Sequence, residues 1–454
     1  MTCDFQAQRM PIWATKILMC WGVALGMSHA LAAEPATLAA PLSLESAVER
    51  AVGQAIKVDQ AQAEVDAQTE AKRGAWTNVG PHARVQYLEA RYPEALYADP
   101  PQNSKLLRDE VTKNASLELS QTVSGLWAAV EYSRLKGKQA DLAFEGLRLA
   151  KRDAAFSAAE AYLNAYRTEA QDLIASSSIE AVKHQYQDAL ALQRVGRQSQ
   201  GDVLKFQLAL SLAESSAAKA RAAKKIALVV LKQLIRWPEE DSLTLQKDLP
   251  SLVSEPRDVK QSIELAMDQR PEVKQAELGV EIAGYGREIA YAQYVPDISI
   301  FKKWDRNLGE LSAMSPAKDS SAIGIRLQWD IWSNGSSLFA VREAIAKKNQ
   351  AEAMKEGAHD GVRLDVIQAW ENFEAAKQSL ILAKTAVVQA EEAYRIDQTR
   401  FRNGQISATE LIRSENDRRA AQGQKVAAET DTLLWHFRLQ RSTGKEVLLG
   451  KAAS

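Results

Sequence analysis

The residues able to do chemistry are sparse and scattered. His82, His184, His359 and His436 stand far apart in sequence and make no zinc-protease pattern. No Gly-x-Ser-x-Gly occurs, and Thr443, Gly444 and Lys445 lack the upstream glycine of a phosphate-binding loop. Two charged groups do repeat. Ser199 is followed by Asp202 and Lys205, and Ser407 by Glu410 and Arg413, each set just after a glycine, Gly196 or Gly404. A serine with an acid three residues on is a capping box, in which the acid reaches back to the start of a helix. An acid and a base three apart also share a helix face, where an exposed pair is worth about 0.2–0.5 kcal/mol. The chemistry on offer is therefore charge placed at helix ends; no enzyme, cofactor or metal site is expected.

Those glycines must sit between long helices. Residues from about Leu126 to Val195 and from about Ser336 to Asn403 contain no proline and are rich in Ala, Leu, Gln, Glu, Lys and Arg, all good helix formers. At 1.5 Å per residue each makes a rod of roughly 100 Å, far longer than a globular domain is wide. Apolar positions recur at helical spacing, as in Leu142, Leu149, Phe156 and Leu163, or Val366, Ala369, Trp370 and Phe373. Return helices are expected over about Ser199 to Arg236 and Ser407 to Arg441.

The whole set of parts occurs twice. At an offset of 215, Val48 matches Ile263, Val58 Val273, Ala61 Ala276, Trp76 Tyr291 and Pro81 Pro296; at 208, Leu119 matches Leu327, Gly196 Gly404 and Asp202 Glu410. The seven-residue difference places a longer loop in the first strand pair. Each repeat reads as helix, strand hairpin, long helix, tight turn, return helix, over about 44–250 and 257–446.

Four short segments alternate with period two, as strands with one oily face do. Ser321 to Ile331 is the clearest, with Ile323, Ile325, Leu327, Trp329 and Ile331 on one side and Arg326, Gln328 and Asp330 on the other. Its counterpart sets Leu117, Leu119 and Val123 against Glu118, Ser120 and Thr122. Ala83, Val85 and Tyr87, and Ile298 and Ile300, follow the paired prolines. Trp304, Trp329, Trp332, Tyr87 and Trp127 are candidates for a membrane interface or for packing at strand-to-helix junctions.

Residues 1–33 read as a secretory signal. Arg9 and Lys16 precede the apolar run Ile17 to Met27, too short to span a bilayer, and small residues at Ala30, Ala32 and Ala33 offer cleavage after Ala32 or Ala33. Both cysteines, Cys3 and Cys20, lie in it, so the rest of the chain, 34–454, has no disulfide or thiolate chemistry. Without Asp4, Arg9 and Lys16 the chain carries 55 basic and 57 acidic residues, a balance that gives nucleic acid no basic surface.

With both glycine turns in register with the hairpins, Arg194 to Leu204 and Phe401 to Leu411, behind a signal segment, the chain from about Leu44 to Glu446 resembles the TolC family of outer-membrane efflux and secretion channels. The resemblance implies a mainly α fold with a small membrane β-barrel, in which a homotrimer closes a 12-stranded barrel continuous with a periplasmic α-helical barrel. Strand counting leaves the number open, since two copies give 8 strands and three give 12, while an open edge in lipid is forbidden. The resemblance further implies a passive exit duct in the outer membrane of a Gram-negative bacterium. Its partners would be a periplasmic adaptor (membrane fusion protein) and an inner-membrane pump of the resistance-nodulation-division or ABC type, in tripartite efflux or type I secretion. Docking tips map onto Val195, Gly196, Arg197, Asn403, Gly404 and Gln405. A periplasmic constriction maps onto Asp202, Lys205, Glu410 and Arg413, although Lys205 and Arg413 stand where acids are common in the family. Ile323, Ile325, Leu327, Trp329, Leu117 and Leu119 are expected to face outer-membrane lipid. A soluble periplasmic coiled-coil scaffold is the competing expectation.

Overall fold

An unexpected break interrupts the helix ahead of each hairpin. The computed structural model describes residues 41–98, 105–238, 240–250, 258–313 and 315–445. The expected signal segment 1–33 and Glu446 lie outside the described residues. Where one helix was expected ahead of each hairpin there are two: α1 (Leu44–Gln54) and α2 (Ile56–Thr77), then α5 (Val259–Gln269) and α6 (Pro271–Tyr291). The breaks fall at Ala55 and Arg270, equivalent at the 215 offset and both extended, with ψ 135° and 127°. Pro271 accounts for the second, because it donates no N–H and suits the first helical position. The first has no proline to mark it.

The sheet strands are β1 (His82–Arg91), β4 (Val111–Thr122), β5 (Asp297–Asn307) and β6 (Asp319–Gln328), antiparallel in the order β1-β4-β5-β6. Their 10 to 12 residues suit a tilted membrane strand, which needs about 9–11. The longer first loop holds a small extra ladder, β2 (Leu96–Tyr97) with β3 (Leu106–Arg108). The last rung of the second hairpin pairs Gln328 with Asp297. Trp329 and Ile331, which alternation had placed in the strand, therefore lie beyond β6. The next partner would be Pro296, which has no N–H to give the ladder.

The long helices are α3 (Leu126–Arg194) and α7 (Ser336–Arg402), and the return helices α4 (Gln200–Leu234) and α8 (Ala408–Ser442). Beside the strands the packing order is α2-α3-α6-α7; beside the turns it is α4-α3-α8-α7. The main core joins α1, α3, α4 and α8 through Leu44, Ala47, Tyr162, Leu163, Leu231 and Phe437. Ala158, Ala159 and Ala165 on α3 have no exposed surface, so small side chains let the helices close. Among the described residues no helix is long and apolar enough to cross a membrane.

Candidate functional site

Both glycine turns are built alike. Gly196 and Gly404 take φ +72° and +73°, and a Cβ on either would meet nothing within 4 Å. The Gly196 N–H donates to Gln193 O and the Arg197 N–H to Leu192 O, both 2.9 Å; Gly404 and Gln405 donate likewise to Phe401 O and Arg400 O. These paired bonds are the helix ending that glycine favours, since it reaches the left-handed region cheaply. Val195 is 69% exposed, and its counterpart Asn403 and the residues Arg197 and Gln405 beyond the glycines are exposed as well.

The return helices begin as their serines demand. Ser407 and Glu410 form a full capping box, with the Ser407 N–H donating to Glu410 Oε2 at 2.7 Å. The Ser407 backbone and hydroxyl hold the Glu410 carboxyl below the usual carboxylate range. Asp202 instead accepts from the Ser199 hydroxyl at 2.7 Å and from Lys205 Nζ at 3.1 Å, and the hydroxyl is the main cause of its lowered pKa. Glu410 does not join Arg413. That arginine reaches Asp417 at 3.9 Å and stays 84% exposed, because the cap occupies the acid. The expected acid–base pair thus exists in the first repeat only.

Just inside the turns a network joins the two helical hairpins. Phe206 and Phe401, both buried, meet at 5.3 Å between ring centroids with planes 72° apart. Gln185 Nε2 donates to the Tyr394 hydroxyl at 2.9 Å, and Arg402 Nε to Asp188 at 3.2 Å. The buried Glu415 takes both prongs of Arg418 at 2.8 Å, and that guanidinium lies over the Tyr394 ring. Gln185, Phe206, Tyr394 and Glu415 were not singled out from sequence. Phe206 with Phe401, Gln185 with Tyr394 and Asp188 with Arg402 pair across the two repeats at no shared offset, so one sequence carries no signal for those contacts.

A second network lies farther along. Arg270 Nη2 donates to Glu272 at 2.9 Å, its Nη1 to Asp365 at 2.8 Å, and Arg152 also bonds Glu272. Burial alone would raise the Glu272 pKa, but hydrogen bonds from Arg270 and Arg152 outweigh it and hold the carboxyl at about 2. α3, α6 and α7 are tied by this cluster.

On the sheet, directly opposed residues share a face. Leu327 pairs with Ile298, Ile325 with Ile300, and Ile323 with Lys302; Leu119 pairs with Ala83 and Leu117 with Val85. Ile323, Ile325 and Leu327 are 77%, 73% and 63% exposed, so the apolar face is uncovered within the chain. Gln121 interrupts it but folds its amide back onto Val79 O and Thr122 O, both 3.0 Å. The opposite face carries Glu118, Lys303 and Arg326. There Gly324 leaves room for the Phe301 ring, which would come within 2.9 Å of a Cβ. Tyr87 and Trp304 stand toward the loop ends of the strands; Trp127, Trp329 and Trp332 stand at the helix ends.

Residues 262–445 match the family model described as "Outer membrane efflux protein". The chain is 23% identical over 302 residues to the outer membrane efflux protein BepC of Brucella suis, a match covering 66% of this chain and 65% of BepC. It is 24% identical over 240 residues to the alkaline protease secretion protein AprF of Pseudomonas aeruginosa, covering 52% of this chain and 50% of AprF. The matches thus span between half and two thirds of these relatives' length. Among solved structures, the outer membrane protein VceC of Vibrio cholerae superposes with a TM-score of 0.75 at 16% identity, over 89% of this chain and 97% of VceC, a likeness of fold.

Proposed function

We propose that this chain is a member of the TolC-like outer membrane efflux proteins and a passive exit duct of the outer membrane, a reading supported by the match of residues 262–445 to the outer membrane efflux protein family model. The family is one of transport proteins and not of enzymes. One observation carries the reading: the open edges of the sheet and of the helix layer coincide. Among the described residues β1 and β6 have no outer partner. α4 leaves Leu204, Leu208 and Leu212 exposed at four-residue spacing, and α7 leaves Ile381, Leu382 and Val388 exposed. β1, α2 and α4 form one side, and β6 and α7 the other. In head-to-tail copies β6 descends beside an ascending β1, antiparallel as barrels require, while α7 meets α2 and α4 of the next copy. Three copies, the family's number, give a closed barrel and a closed helical tube.

In this assembly the apolar face meets lipid and the turns form the periplasmic end. Val195, Gly196, Arg197, Asn403, Gly404 and Gln405 dock a periplasmic adaptor, which links the duct to an inner-membrane pump. Asp202, Lys205, Glu410 and Arg413 ring the narrow end with mixed charge, and the pump supplies both energy and choice of cargo. A soluble coiled-coil scaffold would leave a four-stranded apolar sheet in water. Fractionation separates the two readings: a duct stays in the outer membrane through a high-salt wash, and a scaffold is released.

A further inference from the structure

β5 holds a cation where the apolar wall calls for a hydrocarbon. Its residues on the lipid side run Ile298, Ile300, Lys302, Trp304 and Arg306. Lys302 lies between Leu119 and Ile323, and its Nζ leans to within 4.7 Å of the Trp304 ring centroid. The ion pairs along β5 are Lys303 with Asp305 and Arg306 with Asp319; Lys302 has no carboxylate partner among the described residues. Because β5 is an inner strand, a neighbouring copy pairing at β1 or β6 does not cover it. The lean is away from the helices, toward the loop end of the sheet. A long lysine stem can lie along apolar surface while its ammonium reaches the headgroup layer.

We propose that Lys302, Trp304 and Arg306 form a binding column for a phosphate of the phosphorylated glycolipid in the outward leaflet. The ammonium and the guanidinium bracket the phosphate from the two ends of the column, and the indole packs against the lipid between them. Asp319 keeps one prong of Arg306 engaged, so Lys302 supplies the principal charge. This rests on the membrane-barrel reading above.

The test uses the purified oligomer in phosphatidylcholine nanodiscs, with bound lipid counted by native mass spectrometry. Bisphosphorylated lipid A is compared with its dephosphorylated form. The wild type should prefer the phosphorylated form by about tenfold, Lys302→Gln should lose most of that preference, and Lys302→Arg should keep it. Single-channel conductance in pure phosphatidylcholine should be the same in all three. Equal preference in wild type and Lys302→Gln overturns the proposal, as does displacement by millimolar inorganic phosphate, which would mark a site for the free anion. A wild type that conducts without preferring phosphorylated lipid removes this inference alone; a wild type that never conducts removes the barrel and this site with it.

Discussion

Glu118 and Arg326 hold equivalent positions in the two repeats, 208 residues apart, and form an ion pair at 3.2 Å that reaches across β5. The same offset that aligns the sequences brings opposite charges together on the polar face of the sheet. The Arg326 guanidinium also lies over the Phe301 ring, in the space that Gly324 leaves. One residue earlier, Ile325 points the other way and is 73% exposed.

Adjacent substitutions should therefore fail differently. Ile325→Arg puts a charge into lipid at about 2–4 kcal/mol per chain near the midplane and should sharply lower the yield of assembled oligomer. Arg326→Ile should assemble at nearly the normal level while shifting ion selectivity toward cations in single-channel recordings. Normal assembly of Ile325→Arg would reverse the assignment of the two faces.

A bulky residue at Gly196 or Gly404 should spare the fold and stop export. Each Cβ would project into open space, so the cost is the left-handed backbone alone, about 1–2 kcal/mol. Oligomers should remain in the outer membrane at near-normal amounts while export falls. Full export in both variants would move the docking surface away from the turns.

Acid should loosen the join between α3, α6 and α7. Glu272 is held at about 2 against an ordinary 4.5. Its ion pairs thus contribute fully above the unfolded value and are lost as pH falls through that interval toward 2. Between pH 6 and pH 3, thermal unfolding should move down further in the wild type than in Glu272→Gln, whose neutral amide does not titrate. Parallel curves for the two proteins would assign the acid sensitivity to other groups.

Arg413→Asp should strengthen block by multivalent cations. The side chain has only a 3.9 Å contact with Asp417, so its removal disturbs little. In a threefold tube the change replaces three positive charges by three negative ones at one level. Unchanged block with oligomers intact would mean that Arg413 points away from the pore.

The sequence announced the architecture because the repeat carries its own register. Offsets of 215 and 208 map the Ala83–Leu119 rung of the first hairpin onto the Ile298–Leu327 rung of the second, as found in the sheet. Helix ends were readable from Gly196, Gly404, Ser199 and Ser407, whose conformations and hydrogen bonds are local. What stayed hidden depends on tertiary approach. The helix break at Ala55 has no proline, and the end of β6 is set by Pro296 just ahead of the opposite strand. Glu410 and Arg413 share a spacing with Asp202 and Lys205, yet the cap takes Glu410 away. Gln185 with Tyr394, and Phe206 with Phe401, meet only because two helical hairpins from different repeats pack together.

The central claim is that one chain's open edges close only against other copies of itself. The most direct measurement is the mass of the detergent-extracted protein, taken alongside its strand content by circular dichroism. Three copies, with full strand content, are the predicted result. A stable monomer that keeps all four strands of the sheet would contradict it.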